Sequence, residues 1–512
     1  MVALVLATAV GSILVEFPPS LPRDFWSLVV LFFGAALLVF AALVIPFLPE
    51  AANRIARSLV YLPNWLRQRG ENLKQPIRLI VGILAVALVV AVAAIVQRPV
   101  SGLDLEPGTL TIVSAFDESP SDPRRILINQ WNQTHPDNQV VIEDAPGEPD
   151  QQHDRMVNDA MVGGQHEADV YVLDNVWMAE FIRDDYIRPF DESLRTSKDE
   201  DFLPNVLDTC KDMYGAKEGL WALPFNADAG LLFYRSGLPG VDEPTSWDGY
   251  FGESARATLA QVKSNPDIGD TGVTLEVANA AQLANEEILT VTAFEAIWAA
   301  GGEVVNRDGK LVLSVNENAV EFDDQALEAL RNLAAAYVDR EITLPDADAA
   351  DEDSAITAFN DGRALFMRNW PVAYDKLRNP SDKDAIPFEV AALPGPSVLG
   401  GQNLAVSKWS EKPRAAQALI EFLASPASQL ILFEVGGFAP TRPEVYANAS
   451  QISRRYAQDL RSKVESARHR PVTPHYIEFS REFRAGILRA IRNNGEFEPD
   501  FPQKLASTVR DG

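Results

Sequence analysis

The chain has a single cysteine, Cys210, among 512 residues, so no intrachain disulfide can form and the thiol reads as a small hydrophobe. Histidine is nearly as scarce. His135, His153, His166, His469 and His475 are scattered, with no His-Glu-x-x-His spacing, which argues against a catalytic metal. Neither a phosphate loop ending in Gly-Lys-Ser/Thr nor a Gly-x-Ser-x-Gly elbow occurs, removing two common signatures of hydrolases. Basic charge is in deficit as well. Residues 101–512 carry 37 Lys and Arg against 68 Asp and Glu, a formal charge of −31. Such a surface repels phosphates and excludes a nucleic acid partner, while suiting a neutral or cationic ligand. No internal repeat or low-complexity tract is present, and the acidic run DADAADED, Asp346 to Asp353, reads as solvated loop.

Long apolar runs are confined to the first hundred residues. Between Asp24 and Glu50 no side chain is charged, and Phe25 to Leu48 is long enough for a helix to cross a hydrocarbon core of about 30 Å. A second uncharged run, Leu79 to Val96, has 18 residues and meets the same criterion at its lower limit. The apolar stretch from Val2 to Val15 is a possible third span. Between the two strong runs lie Arg54, Arg57, Arg67, Arg69, Lys74 and Arg78, and short basic loops stay in the cytoplasm. The chain beyond Val96 is therefore expected outside the membrane. Two spans joined by a basic loop do not fit one short cleavable signal region. Residues 1–99 are thus read as a membrane anchor, 100–108 as a linker and 109–512 as an outer domain.

The outer domain begins with an alternation of elements. TLTIVS, Thr109 to Ser114, predicts a buried strand. A helix opens behind Ser121 and Asp122 with Pro123 in its first turn and stops at His135-Pro136. QVVIED, Gln139 to Asp144, and ADVYVLD, Ala168 to Asp174, predict two more strands, separated by a helical stretch around Met156 to Met161. Strand and helix in alternation predict an α/β fold with a parallel sheet. In such sheets the crevice lies beyond the carboxyl ends of the strands, where Asp117, Glu118, Asp174 and Asn175 fall. Further on, Gln325 to Arg340 sets Leu327, Leu330, Leu333, Tyr337 and Val338 on one helical face, and Ala415 to Leu423 behaves likewise.

Several blocks then coincide in order. ADVYVLDNVWMAEFIRDDYIRPFDESL, GLWALPFNADAGLLFYRSGL with EPTSWDGY after it, FEAIWAAGGEVV, AFNDGRALFMRNWP, VAALPGPSVLGGQNLAVSK and GGFAPTR resemble, from Thr109 onward, the family 1 extracellular solute-binding proteins of ABC importers. RPVTPHYIEFS and the Gly-Gly turn of GGQNLAVS look like the trehalose- and maltose-type members. The resemblance implies a two-lobed, periplasmic-binding-protein-like α/β fold with an interlobe ligand cleft. Lobe 1 would take about 109–225 and 393–446, and lobe 2 about 226–392 and 447–512. It implies carbohydrate binding without catalysis, no cofactor and no metal, and delivery to an ABC permease and ATPase on the outer side of the cell membrane.

Carried over residue by residue, the family pattern implies acceptors for sugar hydroxyls at Glu118, Asp174 and Asp228, with Asn226 beside the last. The first loop, FDESPSDPR, lacks the glycines common there in maltose-type members, which leaves the register of Asp117 against Glu118 open. Trp298 and Trp370 would offer stacking faces, Gly400 and Gly401 backbone donors, and Arg442 a donor from the far side, with Tyr476 a further candidate. These types suit a sugar, whose hydroxyls meet carboxylates and guanidinium groups and whose C–H patches lie on aromatic rings. At helical spacing after Phe294 and Ile297, Trp298 also fits a core position, whereas Trp370, before Pro371, fits an exposed turn. A glycosidase would need a carboxyl pair in acid and nucleophile roles, and none stands out. A sensor or receptor role, or a non-sugar solute, is the alternative reading.

Overall fold

The computed structural model describes residues 105–510, apart from 118, 120, 146, 216, 272, 306–310, 312–318, 378–386 and 450–453. The expected membrane spans at 25–48 and 79–96, the stretch 2–15, and Glu118 lie outside the described residues. Among the described residues no single helix is long and apolar enough to cross a membrane.

Among the described residues nine strands follow in chain order: β1 (Leu110–Ala115), β2 (Val140–Ala145), β3 (Val170–Asp174), β4 (Ala222–Ala229), β5 (Leu231–Tyr234), β6 (Val277–Asn279), β7 (Ala364–Asn369), β8 (Glu389–Ala392) and β9 (Leu399–Val406). They build two sheets, ordered β2-β1-β3-β9-β4 and β6-β7-β5-β8. β2 and β3 pair with β1 in parallel, joined by helices Pro123–Thr134 and Pro149–Ala160, as the alternating elements predict. Each of these helices opens with proline at its start, where the missing N–H has no intrahelical partner to lose. In the first, Asp122 caps the chain by accepting from the Arg125 N–H at 3.1 Å.

β9 enters antiparallel between β3 and β4. Its first residues therefore lie at the carboxyl ends of those strands, with Gln402 opposite Asp174, Gly401 opposite Ala227 and Gly400 opposite Asp228. β4 is an edge strand, which tolerates Pro224 and a register shift between Pro224 and Asn226.

Two passages connect the sheets. β4 runs into β5 through Gly230 alone, and β8 returns to β9 through residues 393–398. One core packs Tyr171, Phe181, Leu223 and Leu419 around the first sheet, and another packs Phe294, Leu330, Phe366 and Phe483 in the second lobe. A third joins Leu203, Phe433 and Tyr446 to Leu231, Phe233 and Met367 behind the crossing. Of the anticipated face on helix Asp324–Val338, Leu330 and Leu333 are buried, Leu327 and Tyr337 are half-buried, and Val338 points to solvent at the helix end.

At the crossing sits an ion pair buried on both sides. Arg368 donates to Glu295 in a two-pronged contact at 2.9 and 2.8 Å. The Gly230 N–H donates to Ser397 Oγ at 2.6 Å, Ser397 donates to Glu295 Oε1 at 3.1 Å, and the Val398 N–H reaches the same oxygen at 3.2 Å. Gly230 has no room for a side chain, since a Cβ would lie 2.8 Å from both the Arg368 guanidinium and Glu295 Oε1. One carboxylate thus ties both passages together.

Candidate ligand-binding cleft

A cavity of about 500 Å³ opens between the sheets, within the size range of small-ligand sites. Its first wall is made by the carboxyl ends of β1, β3 and β4 and the start of β9, as the crevice rule for such sheets anticipates. The opposite wall comes from the starts of helices Glu287–Ala299 and Glu352–Asn360 and the end of β7. Six of the expected residues meet here: Asp174, Asn226, Asp228, Trp370, Gly400 and Gly401.

Trp370 is held from several sides. The Arg368 guanidinium lies 3.7 Å from the ring centroid, close enough for a cation–π contact. The indole N–H donates to Glu352 Oε1 at 3.0 Å, and the backbone N–H donates to Asn369 Oδ1 at 2.8 Å. Facing it, the backbone of β9 carries no side chains at Gly400 and Gly401. Gly401 has φ +116°, and a Cβ there would stand 2.3 Å from the Asn226 carbonyl oxygen, so only glycine fits. At Gly400 a Cβ would stand 3.3 Å from the Trp370 ring. The edge of the ring therefore packs directly on the bare strand at Gly400, and ring and strand together form one continuous stretch of the cavity lining.

Asn226 Nδ2 donates to Asp228 Oδ2 at 3.0 Å. Burial pushes the Asp228 carboxyl up to about 7, with Asp174 adding to the rise, against the opposing pull of the Arg368 charge, the Asn226 hydrogen bond and the Arg124 charge. Asp174 is committed to Arg470, whose guanidinium donates to Asp174 Oδ1 at 3.0 Å, Asn175 Oδ1 at 3.1 Å and Glu287 Oε1 at 2.7 Å. Burial alone would lower the Arg470 pKa, but the charges of Asp174 and Glu287 together with Tyr476 more than offset it and hold the guanidinium charged. This arginine bridges the end of β3 to the start of helix Glu287–Ala299, one wall to the other.

Five expected contributors lie elsewhere or cannot be placed. Glu118 falls outside the described residues. Asp117 turns inward, accepting from the Ser119 N–H and Oγ at 2.9 and 2.6 Å, with the Arg124 guanidinium 3.7 Å away. Trp298 is core: it packs on Phe294 at 5.4 Å with Arg468 over its ring. Its helix starts at the cleft with Glu287, and eleven residues at 1.5 Å each carry Trp298 roughly 16 Å away along the axis. Arg442 is also buried away from the cavity, donating to the Ala424 carbonyl at 2.7 Å and lying 4.3 Å from the Phe202 ring centroid. Tyr476 stands behind Glu287, to which its hydroxyl donates.

Other residues of the cleft were missed from sequence. Phe116, directly after β1, is 61% exposed and lines the cavity; its place in the first crevice loop was the available signal. Asp351, Glu352 and Asp353, the end of the acidic run expected as solvated loop, line the opposite wall because Asp351 caps helix Glu352–Asn360 by accepting from the Ser354 N–H at 2.8 Å. Arg470 opens the late motif RPVTPHYIEFS, yet its role depends on partners 183 and 296 residues away in sequence.

A two-lobed α/β chain with an aromatic and polar cleft at the crossing has the architecture of periplasmic-type binding proteins. The sequence profile of the bacterial extracellular solute-binding protein family matches residues 118–430, and the chain belongs to that family. A probable ABC transporter-binding protein of Deinococcus radiodurans is 29% identical over 291 residues, covering 55% of this chain and 64% of the relative; the match therefore spans under two thirds of that relative's length. Among solved structures, the maltose-bound MalE3 of T. maritima superposes with TM-score 0.66 at 24% identity, covering 78% of this chain and 98% of that one. The GacH receptor of Streptomyces glaucescens, solved unliganded and with acarbose, gives 0.63 at 22% identity, with 79% and 97% covered.

The raised Asp228 carboxyl has a consequence for stability. The folded state keeps this group protonated up to about 7, whereas the unfolded chain ionises it near the usual carboxyl value. Its contribution is therefore fully present at acid pH and is lost as pH rises through 7. Asp228→Asn, which cannot ionise, is expected to raise the melting temperature at pH 8 by about 2–4 °C and to leave it unchanged at pH 4. An equal shift at both pH values would contradict the assignment.

Proposed function

We propose that the chain is the membrane-anchored, extracytoplasmic solute-binding component of an ABC importer and that it captures a di- or oligosaccharide in the cleft. The observation that carries this reading is the Trp370 ring set on the bare backbone of Gly400 in the wall of the cavity, with Asn226 and Asp228 beside it. An aromatic face takes the C–H surface of a sugar ring, while amide and carboxyl groups along the edge take its hydroxyls. The exposed ring of Phe116 offers a second apolar surface. The maltose and acarbose complexes of the structural relatives support the same ligand class.

Binding rather than catalysis fits the description of the family, whose members are solute-binding proteins. Asp174 and Glu287 are both engaged by Arg470, and such neutralised groups serve poorly as a general acid or a nucleophile. Docking on a permease and ATPase pair would follow closure of the lobes on the ligand, and the expected anchor would raise the local concentration at the transporter.

Two measurements test the reading. Isothermal titration of the purified full chain with trehalose, maltose and longer glucans is expected to show saturable binding, weakened about tenfold or more by Trp370→Ala without loss of folding. No sugar binding, with a peptide or polyamine bound instead, would overturn it. For the anchor, the protein is expected to stay in an alkali-washed membrane fraction and to be cut by protease added to intact spheroplasts. Release of the chain by the alkaline wash would contradict anchoring.

A further inference from the structure

The two walls of the cleft are also joined at one flank, by elements that take no part in the crossing. Helix Pro149–Ala160 belongs to the first lobe, with Met156 and Ala160 in its core, and helix Tyr476–Arg492 to the second, with Phe479, Phe483 and Ile487 in that core. Between them Asp150 Oδ2 accepts from Arg481 Nε and from Arg484 Nη2, both at 2.9 Å. Asp154, one turn along the first helix, lies 3.7 Å from Arg481. The first turn of the second helix reaches the first-lobe core with Tyr476 and Ile477, and Arg481 and Arg484 stand about one and two turns further out.

Asp150, Arg481 and Arg484 do not line the cavity themselves, but their neighbours do: Pro149 and Gln152 on the first wall, Glu286 and Glu287 on the second. Arg484 is fixed to that second wall, since it donates to the Asn285 carbonyl at 2.9 Å. The bridge therefore spans the same gap that a ligand fills. Its charges are unevenly buried, with the Arg484 side chain 3% exposed, Asp150 25% and Arg481 47%. Among the described residues Asp150 is the only carboxylate paired with Arg484. A buried guanidinium of one lobe thus takes its counter-charge from the other, and a buried charge parted from its partner is costly until water reaches it.

We infer that Asp150 is a positioning residue of the binding site: its bridge to Arg481 and Arg484 latches the lobes closed and sets affinity for every ligand without touching any of them. Its action rests on the lobe closure proposed above. Widening the cleft draws Asp150 away from the second helix and leaves Arg484 with the carbonyls of Ser480 and Asn285 alone. The paired form is therefore the closed form, and the latch raises its share of the population. Apparent affinity follows that share, because only the closed form makes the full set of ligand contacts. Asp150→Asn inverts the balance: in the closed form Arg484 loses its counter-charge, whereas in the open form water can reach it.

The test uses the purified full chain with spin labels on cysteines placed at the exposed Val162 and Val338, read by pulsed electron–electron resonance without ligand. Asp150→Asn is expected to move the distribution of separations away from the parent's, and Arg481→Ala, at a half-exposed side chain, to move it the same way. Calorimetric titration with maltose and with trehalose is expected to show both bound about fivefold more weakly by Asp150→Asn, by one common factor. A melting curve confirms that each variant is folded. A ligand-free distribution in Asp150→Asn identical to the parent's overturns the inference, even where the parent binds sugar and closes on it. If neither sugar binds the parent, the carbohydrate reading falls and the ligand-free distributions still decide the latch. If sugar binds the parent but leaves its separation unchanged, closure falls and the latch falls with it.

Discussion

The buried pair of Arg368 and Glu295 lies where the two lobes exchange strands, and the arrangement of the cleft depends on it. Glu295 receives Arg368, Ser397 and the Val398 N–H, and through Ser397 it also holds Gly230. Both passages between the sheets are thus fastened to one carboxylate. Removing either partner of such a pair strands a buried charge, at a cost of about 3–5 kcal/mol. A pair so placed is a constraint on geometry: its directional contacts tolerate only one approach of the two crossing segments.

The same arginine reaches the binding surface. Its outer face carries the Trp370 ring, which Glu352 then orients. Against the edge of that ring lies Gly400, which with Gly401 belongs to β9, the strand that the return passage feeds. Hinge and stacking surface are therefore one connected structure, and a lobe rotation about the crossing would shift the ring against the strand directly. Arg470 joins the walls a second time, through Asp174 and Glu287. Ligand capture in this architecture is a shift of population between open and closed forms, driven by contacts that exist only when both walls are close.

How much of this was legible from sequence varies with the range of the interaction. β1, β2 and β3 were anticipated within a residue or two, because apolar runs bounded by polar turns are local signals. Asn226, Asp228, Trp370 and the two glycines were reached through motif resemblance, and they do share one cavity. Trp298 was ambiguous for a physical reason: helix Glu287–Ala299 is buried nearly all round, so its periodicity has no face to report. Glu295 in FEAIWAAGG was a signal left unused, since a carboxylate in an otherwise apolar helix requires a buried partner. That partner lies 73 residues away, and no local pattern could name it. The acidic run failed in the opposite sense, because charged residues at a helix start look alike whether they face solvent or a cleft.

The central claim is that two lobes move about the crossing and close on ligand, and an interlobe distance tests it most directly. Val162 on the first lobe and Val338 on the second are 86% and 55% exposed, while Cys210 is buried, so Val162→Cys and Val338→Cys can carry spin labels selectively. Pulsed electron–electron resonance on the full chain, without ligand and at saturation with the tightest-binding sugar, reads their separation. The account predicts a distribution that changes on binding, with one separation replacing another or a broad distribution narrowing to one. A distribution unchanged at full occupancy would contradict it.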